Sequence, residues 1–171
     1  MEEREYAGIR LMLEGSFGNL RQTIKIDVST GDAITPDAIE YVYSPMFSDY
    51  SFPLRAYNTE TLLAEKLETI MARGTVNTRT RDFYDVYMIG IQKDINIDLL
   101  KRAFLSTCEK RNTLGLISDL TRILNDIYSS ISMKKQWESF QKGSLYAENM
   151  SWDMIMERIT NLAEKLIDSA S

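Results

Sequence analysis

The first third of the chain alternates apolar and polar positions with a period of two. Ile9, Leu11 and Leu13 share one face of the stretch Ile9–Glu14, and Ile24, Ile26 and Val28 share one face of Thr23–Ser29. Between them GSFGN (Gly15–Asn19) supplies turn residues, so the spacing predicts a β-hairpin. Lys25 and Asp27 fall on the opposite face of the second strand, where an aspartate is more often solvated than catalytic. All three prolines, Pro36, Pro45 and Pro53, lie in Gly31–Pro53, which predicts an irregular connection with little regular structure. Leu54–Tyr57 reads as a short strand or an extended entry to a helix.

From Asn58 the period changes to that of a helix. Asn58 or Thr59 is placed to cap it, Glu60 suits its first turn, and Gly74 suits its end. At about 100° per residue, Leu63, Leu67, Ile70 and Met71 gather into one arc and Glu65 and Glu68 fall on the other side, facing solvent. Lys66 lands inside the arc, between Leu62 and Ile70. In the next helix Asp82, Asp85, Val86 and Ile89 follow the i, i+3, i+4, i+7 spacing, with Phe83 and Tyr87 beside them, so two carboxylates share a line with core residues. An unpaired buried charge costs several kcal/mol, so these three charges need one another, a ligand, or water in a cleft. One reading is a structural ion pair, Lys66–Asp82 or Lys66–Asp85, that ties two antiparallel helices. The other is a site that handles phosphate and metal, with the lysine as a point charge and the carboxylates for Mg²⁺ or for an attacking hydroxyl.

Helical periodicity continues to the C-terminus, near Asp98–Cys108, Leu116–Ser130, Met133–Phe140 and Ser151–Ile167. Trp152, Ile155, Met156, Ile159, Leu162, Ala163 and Leu166 form the apolar stripe of the last helix and read as core rather than as a ligand box. Arg111, Lys134 and Lys135 are scattered and read as solvated. The fold class is therefore α+β, with a strand-rich part at 1–57 and a helical bundle at 58–171.

Composition narrows the chemistry. The chain has 44% hydrophobic and 26% charged residues, as an ordinary globular protein does, and no apolar run long enough to span a bilayer. MEERE at its start is the wrong chemistry for a signal peptide, so a cytoplasmic location is expected. There is no histidine, which removes imidazole acid–base catalysis, histidine-dependent triads and histidine-ligated zinc. Cys108 is the only cysteine and reads as a core thiol. Catalysis would rest on carboxylates, lysine, arginine and a hard metal. A net charge of −5 argues against a broad surface for coating nucleic acid.

Three separated motifs occur in order: IKIDVSTGDAITP, FPLRAYNTETLLAEKLETIMARG and NTRTRDFYDVYMI. Together they resemble the AbiEii/AbiGii toxin family, nucleotidyltransferase-like proteins of bacterial abortive-infection and type IV toxin–antitoxin systems, over about Gly8 to Thr113. The resemblance implies that the strand-rich part is the remnant of a nucleotidyltransferase fold. It implies that Asp27 is that fold's third acidic residue and a metal ligand, and that Lys66 lies near the nucleotide phosphates. Asp82 and Asp85 fall on the family's RDxYD motif as catalytic acids, with Arg81 beside them and Arg73 and Arg79 as further charge for phosphates or an RNA backbone. Mg²⁺, an NTP, a tRNA or other RNA acceptor and a cognate antitoxin are implied with it.

The sequence also departs from the family. A Gly-Ser or Gly-Gly turn that opens a helix, followed by an Asp-x-Asp strand, is missing upstream of Asp27, and no Asp-x-Asp occurs anywhere in the chain. The expectation is the C-terminal portion of such a toxin, as a truncated frame, a cloned fragment or one piece of a split pair, incompetent as a transferase by itself. The competing expectation is a catalytically inactive helical module that binds an antitoxin or associates with itself.

Overall fold

The computed structural model describes residues 8–167. The chain divides into two compact units, 1–32 and 33–171.

In the first unit, β1 (Ile9–Phe17) pairs antiparallel with β2 (Leu20–Val28), in a register running from Ile9 opposite Val28 to Phe17 opposite Leu20. Only Gly18 and Asn19 make the turn, and Gly18 takes φ 58°, which glycine adopts at little cost at the first position of a two-residue hairpin loop. The strands therefore run through Gly15–Phe17, which the alternation alone assigns to the turn. The register keeps the faces apart: Leu11 lies opposite Ile26 and Leu13 opposite Ile24, while Arg10 lies opposite Asp27 on the other face.

The second unit begins with another antiparallel pair, β3 (Ile39–Tyr43) and β4 (Phe52–Ala56). This corrects the expectation of an irregular 31–53 connection. Pro36 and Pro45 lie outside the strands, and Pro53 sits in a two-stranded ribbon, where every strand is an edge and a proline is tolerated. Tyr43 and Phe52 face each other across the ribbon with ring centroids 5.6 Å apart, a cross-strand aromatic pair that favours this register.

Six helices complete the unit: α1 (Thr59–Arg73), α2 (Thr80–Gln92), α3 (Ile97–Arg111), α4 (Leu116–Ser129), α5 (Ile131–Lys142) and α6 (Trp152–Ile167). The α+β expectation holds. The start of α1 is tied down by its cap. The Asn58 side chain accepts from the Thr61 N–H at 2.7 Å and donates to the Thr35 carbonyl at 2.6 Å, and Thr61 Oγ1 donates to the same carbonyl. Gly74, at φ 52°, ends the helix, as its position in the sequence predicts.

Leu63, Leu67 and Ile70 are fully buried, and α1 packs against α2, α3 and α4. Phe83 of α2, Trp137 of α5 and Trp152 of α6 form an aromatic core, with Phe83 and Trp152 centroids 5.6 Å apart. Both indole N–H groups are satisfied, Trp137 by the Met150 carbonyl and Trp152 by the Tyr128 carbonyl, so burial of these large rings costs no hydrogen bond. The stripe on α6 is core, as its spacing indicated. One part of the helical reading is corrected. Glu68 is 3% exposed rather than solvated, and Arg111 is half-buried against it, because α3 covers the face of α1 that the helical wheel leaves to water.

Candidate functional site

Lys66 lies in the middle of α1, and Asp82 and Asp85 lie in the first two turns of α2. The short link between these helices, a 3₁₀ turn at Gly74–Val76 followed by Asn77–Arg79, returns the chain so that the two helices pack side by side. Asn77 organises the return: its buried side chain accepts from the Arg79 N–H at 2.8 Å. Three residues apart on one helix, Asp82 and Asp85 present their carboxylates on the same face.

Both carboxylates meet the lysine. Lys66 Nζ donates to Asp82 Oδ1 at 2.9 Å and to Asp85 Oδ2 at 2.8 Å. The three side chains are 18%, 17% and 24% exposed, so the cluster sits at the rim of the core rather than deep in it. Burial opposes the charged ammonium, but its hydrogen bonds to Asp85 and Asp82 outweigh it, and the Lys66 pKa is raised above its ordinary value. The lysine is therefore a fixed cation at neutral pH and not a proton donor or acceptor. An ammonium has three N–H groups, and the carboxylates take two.

Three arginines stand around the connection between the helices. Arg81 Nε lies 3.9 Å from Asp85 Oδ1, and its side chain is 75% exposed. Arg79 is exposed just before α2, and Arg73, in the last turn of α1, is half-buried. Residues 73–81 contain no acidic side chain, so this end of the helix pair is locally basic although the chain is acidic. The first turn of α2 adds its positive dipole end at the same place.

Asp27 belongs to the first unit, on the polar face of β2. Its two oxygens accept from Nε and Nη2 of Arg10 on the paired strand, and it is 66% exposed. The Arg10 hydrogen bond lowers its carboxyl pKa from the ordinary value, against an opposing effect of desolvation, so it is ionised. Among the described residues no three carboxylate, histidine or thiol groups converge as a metal site. The Lys66 cluster offers only two carboxylates, both already paired with the lysine, and so does not by itself fit a divalent cation.

Sequence reasoning missed the network behind α1. Arg111 pairs with the buried Glu68, donates to Thr69 Oγ1 at 3.1 Å and lies 3.9 Å from Glu65, while Thr113 Oγ1 donates to Glu68 at 2.9 Å. The available signal was two glutamates three apart on one helix, but their partners lie more than forty residues away.

The model of one protein family, described as the nucleotidyl transferase AbiEii toxin of type IV toxin–antitoxin systems, matches residues 1–158. The chain belongs to the AbiEii family. The match extends through α5 and into α6, well past the segment whose motifs carry the resemblance. No curated protein and no solved structure matches the chain. The AbiEii assignment makes an NTP and a cognate antitoxin the relevant partners at the level of the family. No helix among the described residues is long and apolar enough to cross a membrane.

Proposed function

We propose that this chain supplies the phosphate-handling half of a nucleotidyl-transfer site. The observation that carries the reading is the Lys66–Asp82–Asp85 cluster beside the basic 73–81 connection, in a chain of the AbiEii family. Lys66 keeps its charge and has one N–H to offer a phosphate oxygen. Arg73, Arg79 and Arg81 add cations for the rest of an NTP tail or for an RNA backbone. Asp82 and Asp85 orient the lysine, and either carboxylate is placed to accept the proton of an attacking hydroxyl, such as that of a tRNA or other RNA end. Asp27 is assigned one ligand position for Mg²⁺, after release from Arg10. The sequence holds no Asp-x-Asp, and a two-metal mechanism needs several converging carboxylates, so the remaining acids have to come from outside these 171 residues. We place the chain in the cytoplasm on the same reading.

The double pairing of Lys66 also favours a second reading, an inactive helical module for an antitoxin or for self-association, in which the ion pair is purely structural. The two separate in one assay. The chain is incubated with α-labelled NTPs, Mg²⁺ and total tRNA, alone and with a family segment that carries the Gly-Ser and Asp-x-Asp motifs. Label should enter RNA only in the mixture, and should be lost in Lys66→Ala and Asp82→Ala while the circular dichroism stays helical. Labelling that survives both substitutions, or that never appears in the mixture, overturns the proposal.

A further inference from the structure

Tyr84 lies between Asp82 and Asp85 in sequence, yet the helix turns it about 100° away from Asp85 and it packs toward α5. Its ring meets Tyr146 at a centroid distance of 4.9 Å and Phe140 at 6.2 Å, and Phe140 meets Tyr146 at 6.2 Å. The interplanar angles at Tyr146 are 60° and 72°, so both neighbours prop the ring and neither stacks flat on it. Tyr146 is 53% exposed, although the cluster continues inward from Phe140 to the buried Trp137, 5.4 Å away. The turn that presents it, Leu145–Ala147, is pinned to α5. Ala147 is fully buried, Gln141 Nε2 donates to the carbonyls of Ala147, Glu148 and Met150 at 3.2, 3.3 and 2.9 Å, and the Trp137 indole also donates to Met150. A single exposed tyrosine is ordinary, but a ring propped by two others on a pinned turn is held in one place.

We infer that the Tyr146 ring seats a nucleobase whose own phosphate lies on the 73–81 connection, an assignment that rests on the phosphate-handling reading of those arginines. Arg81 and Tyr84 are three residues apart on α2, so their side chains are neighbours on the helix surface, with Cβ atoms about 5–6 Å apart. Arg81 is 75% exposed and Tyr84 leans on Tyr146, so a guanidinium and an exposed aromatic ring stand side by side. Cations that track the backbone beside a ring on which a base stacks are how proteins hold unpaired nucleotides. The surroundings of the ring favour the base over the phosphate. The same turn borders a cleft of about 370 Å³ lined by Leu145, Gln141, Glu138, Glu148 and one cation, Lys142. Its net negative lining repels a phosphate and accepts a neutral heterocycle. A stacked base is supplied by an NTP or by an unpaired RNA end, which share this chemistry.

The full chain is titrated with a short single-stranded RNA, the same RNA made abasic, ATP, and inorganic tripolyphosphate. Tyr146→Ala should weaken binding of the RNA, of ATP or of both by about 5- to 100-fold and leave abasic RNA and tripolyphosphate unchanged. Whichever of RNA and ATP responds is the source of the base. Tyr146→Phe keeps the ring and should bind as the parent chain does, whereas Arg81→Ala should weaken every probe, tripolyphosphate included. Circular dichroism checks that each variant stays helical. Because losing the ring could also shift the turn, RNA carrying bromouridine is photo-cross-linked to the unaltered chain, and the adduct should map to Tyr146 or Tyr84. Equal binding of intact and abasic RNA with no effect of Tyr146→Ala on ATP, an equal loss on all probes in Tyr146→Ala, or an adduct confined to other elements overturns the inference. Tripolyphosphate that binds while no base-dependent difference appears refutes the base seat alone. Tripolyphosphate that fails to bind refutes the phosphate reading, and the base seat with it.

Discussion

Replacing Lys66 with methionine keeps much of the stem's packing and removes only the ammonium. Two carboxylates, 17% and 24% exposed, are then left aimed at one point. The nearest cation is Arg81, 3.9 Å from Asp85 and 75% exposed, which screens weakly. Breaking a fully buried pair from one side costs about 3–5 kcal/mol, and losing an exposed pair costs about 0–1 kcal/mol. With about four-fifths of each group buried but water at the rim, the expected loss is roughly 2–3 kcal/mol, or a fall in Tm of about 5–10 °C for a domain of this size. Urea unfolding followed by the helical signal measures it. Asp85→Asn alone should cost about 1 kcal/mol, because Lys66 keeps Asp82, and adding Asp82→Asn and Asp85→Asn to Lys66→Met should recover most of the loss. A Lys66→Met loss below about 0.5 kcal/mol, with no recovery in the triple variant, would refute the argument that these charges need one another.

Two further outcomes concern the network behind α1 and the core. Arg111→Met strands Glu68 at 3% exposure with only Thr113 and is expected to cost about 3–5 kcal/mol in the same unfolding assay, whereas Glu65→Gln should cost less than about 1 kcal/mol. Burial pushes the Cys108 thiol up to about 11, so alkylation of the folded chain at neutral pH should be far slower than that of the urea-unfolded chain. The fold favours the protonated thiol, so its contribution is fully present below the unfolded pKa of 9.0 and drains as pH rises from there toward about 11, a loss of roughly 2–3 kcal/mol. The raised pKa of Lys66 drains at alkaline pH in the same sense, and Cys108→Ala should flatten only the thiol's share of a titration of Tm against pH.

What could be read from the sequence was what is local. Asn58, Gly74 and the spacing of Leu63, Leu67 and Ile70 define α1 within fifteen residues, and Asp82 and Asp85 share a face by helix geometry alone. The lysine between them was legible because a charge inside an apolar arc has few outcomes. Arg111 was not legible: its partner lies 43 residues away, and it is buried only because α3 closes over the other side of α1. The β3–β4 ribbon was hidden by prolines, which weigh against strands in a sheet interior but not in a ribbon made only of edges. The site follows the same division. Counting positions yields a cation and two carboxylates, but it does not show how Lys66 divides its three donors. The structure does, with two N–H groups given to Asp85 and Asp82 and one left over. A structural pair and a phosphate contact are then compatible in one lysine. Asp85→Asn separates them, because it should cost little stability through the Asp82 bond that remains, while it removes one of the two groups that aim the ammonium.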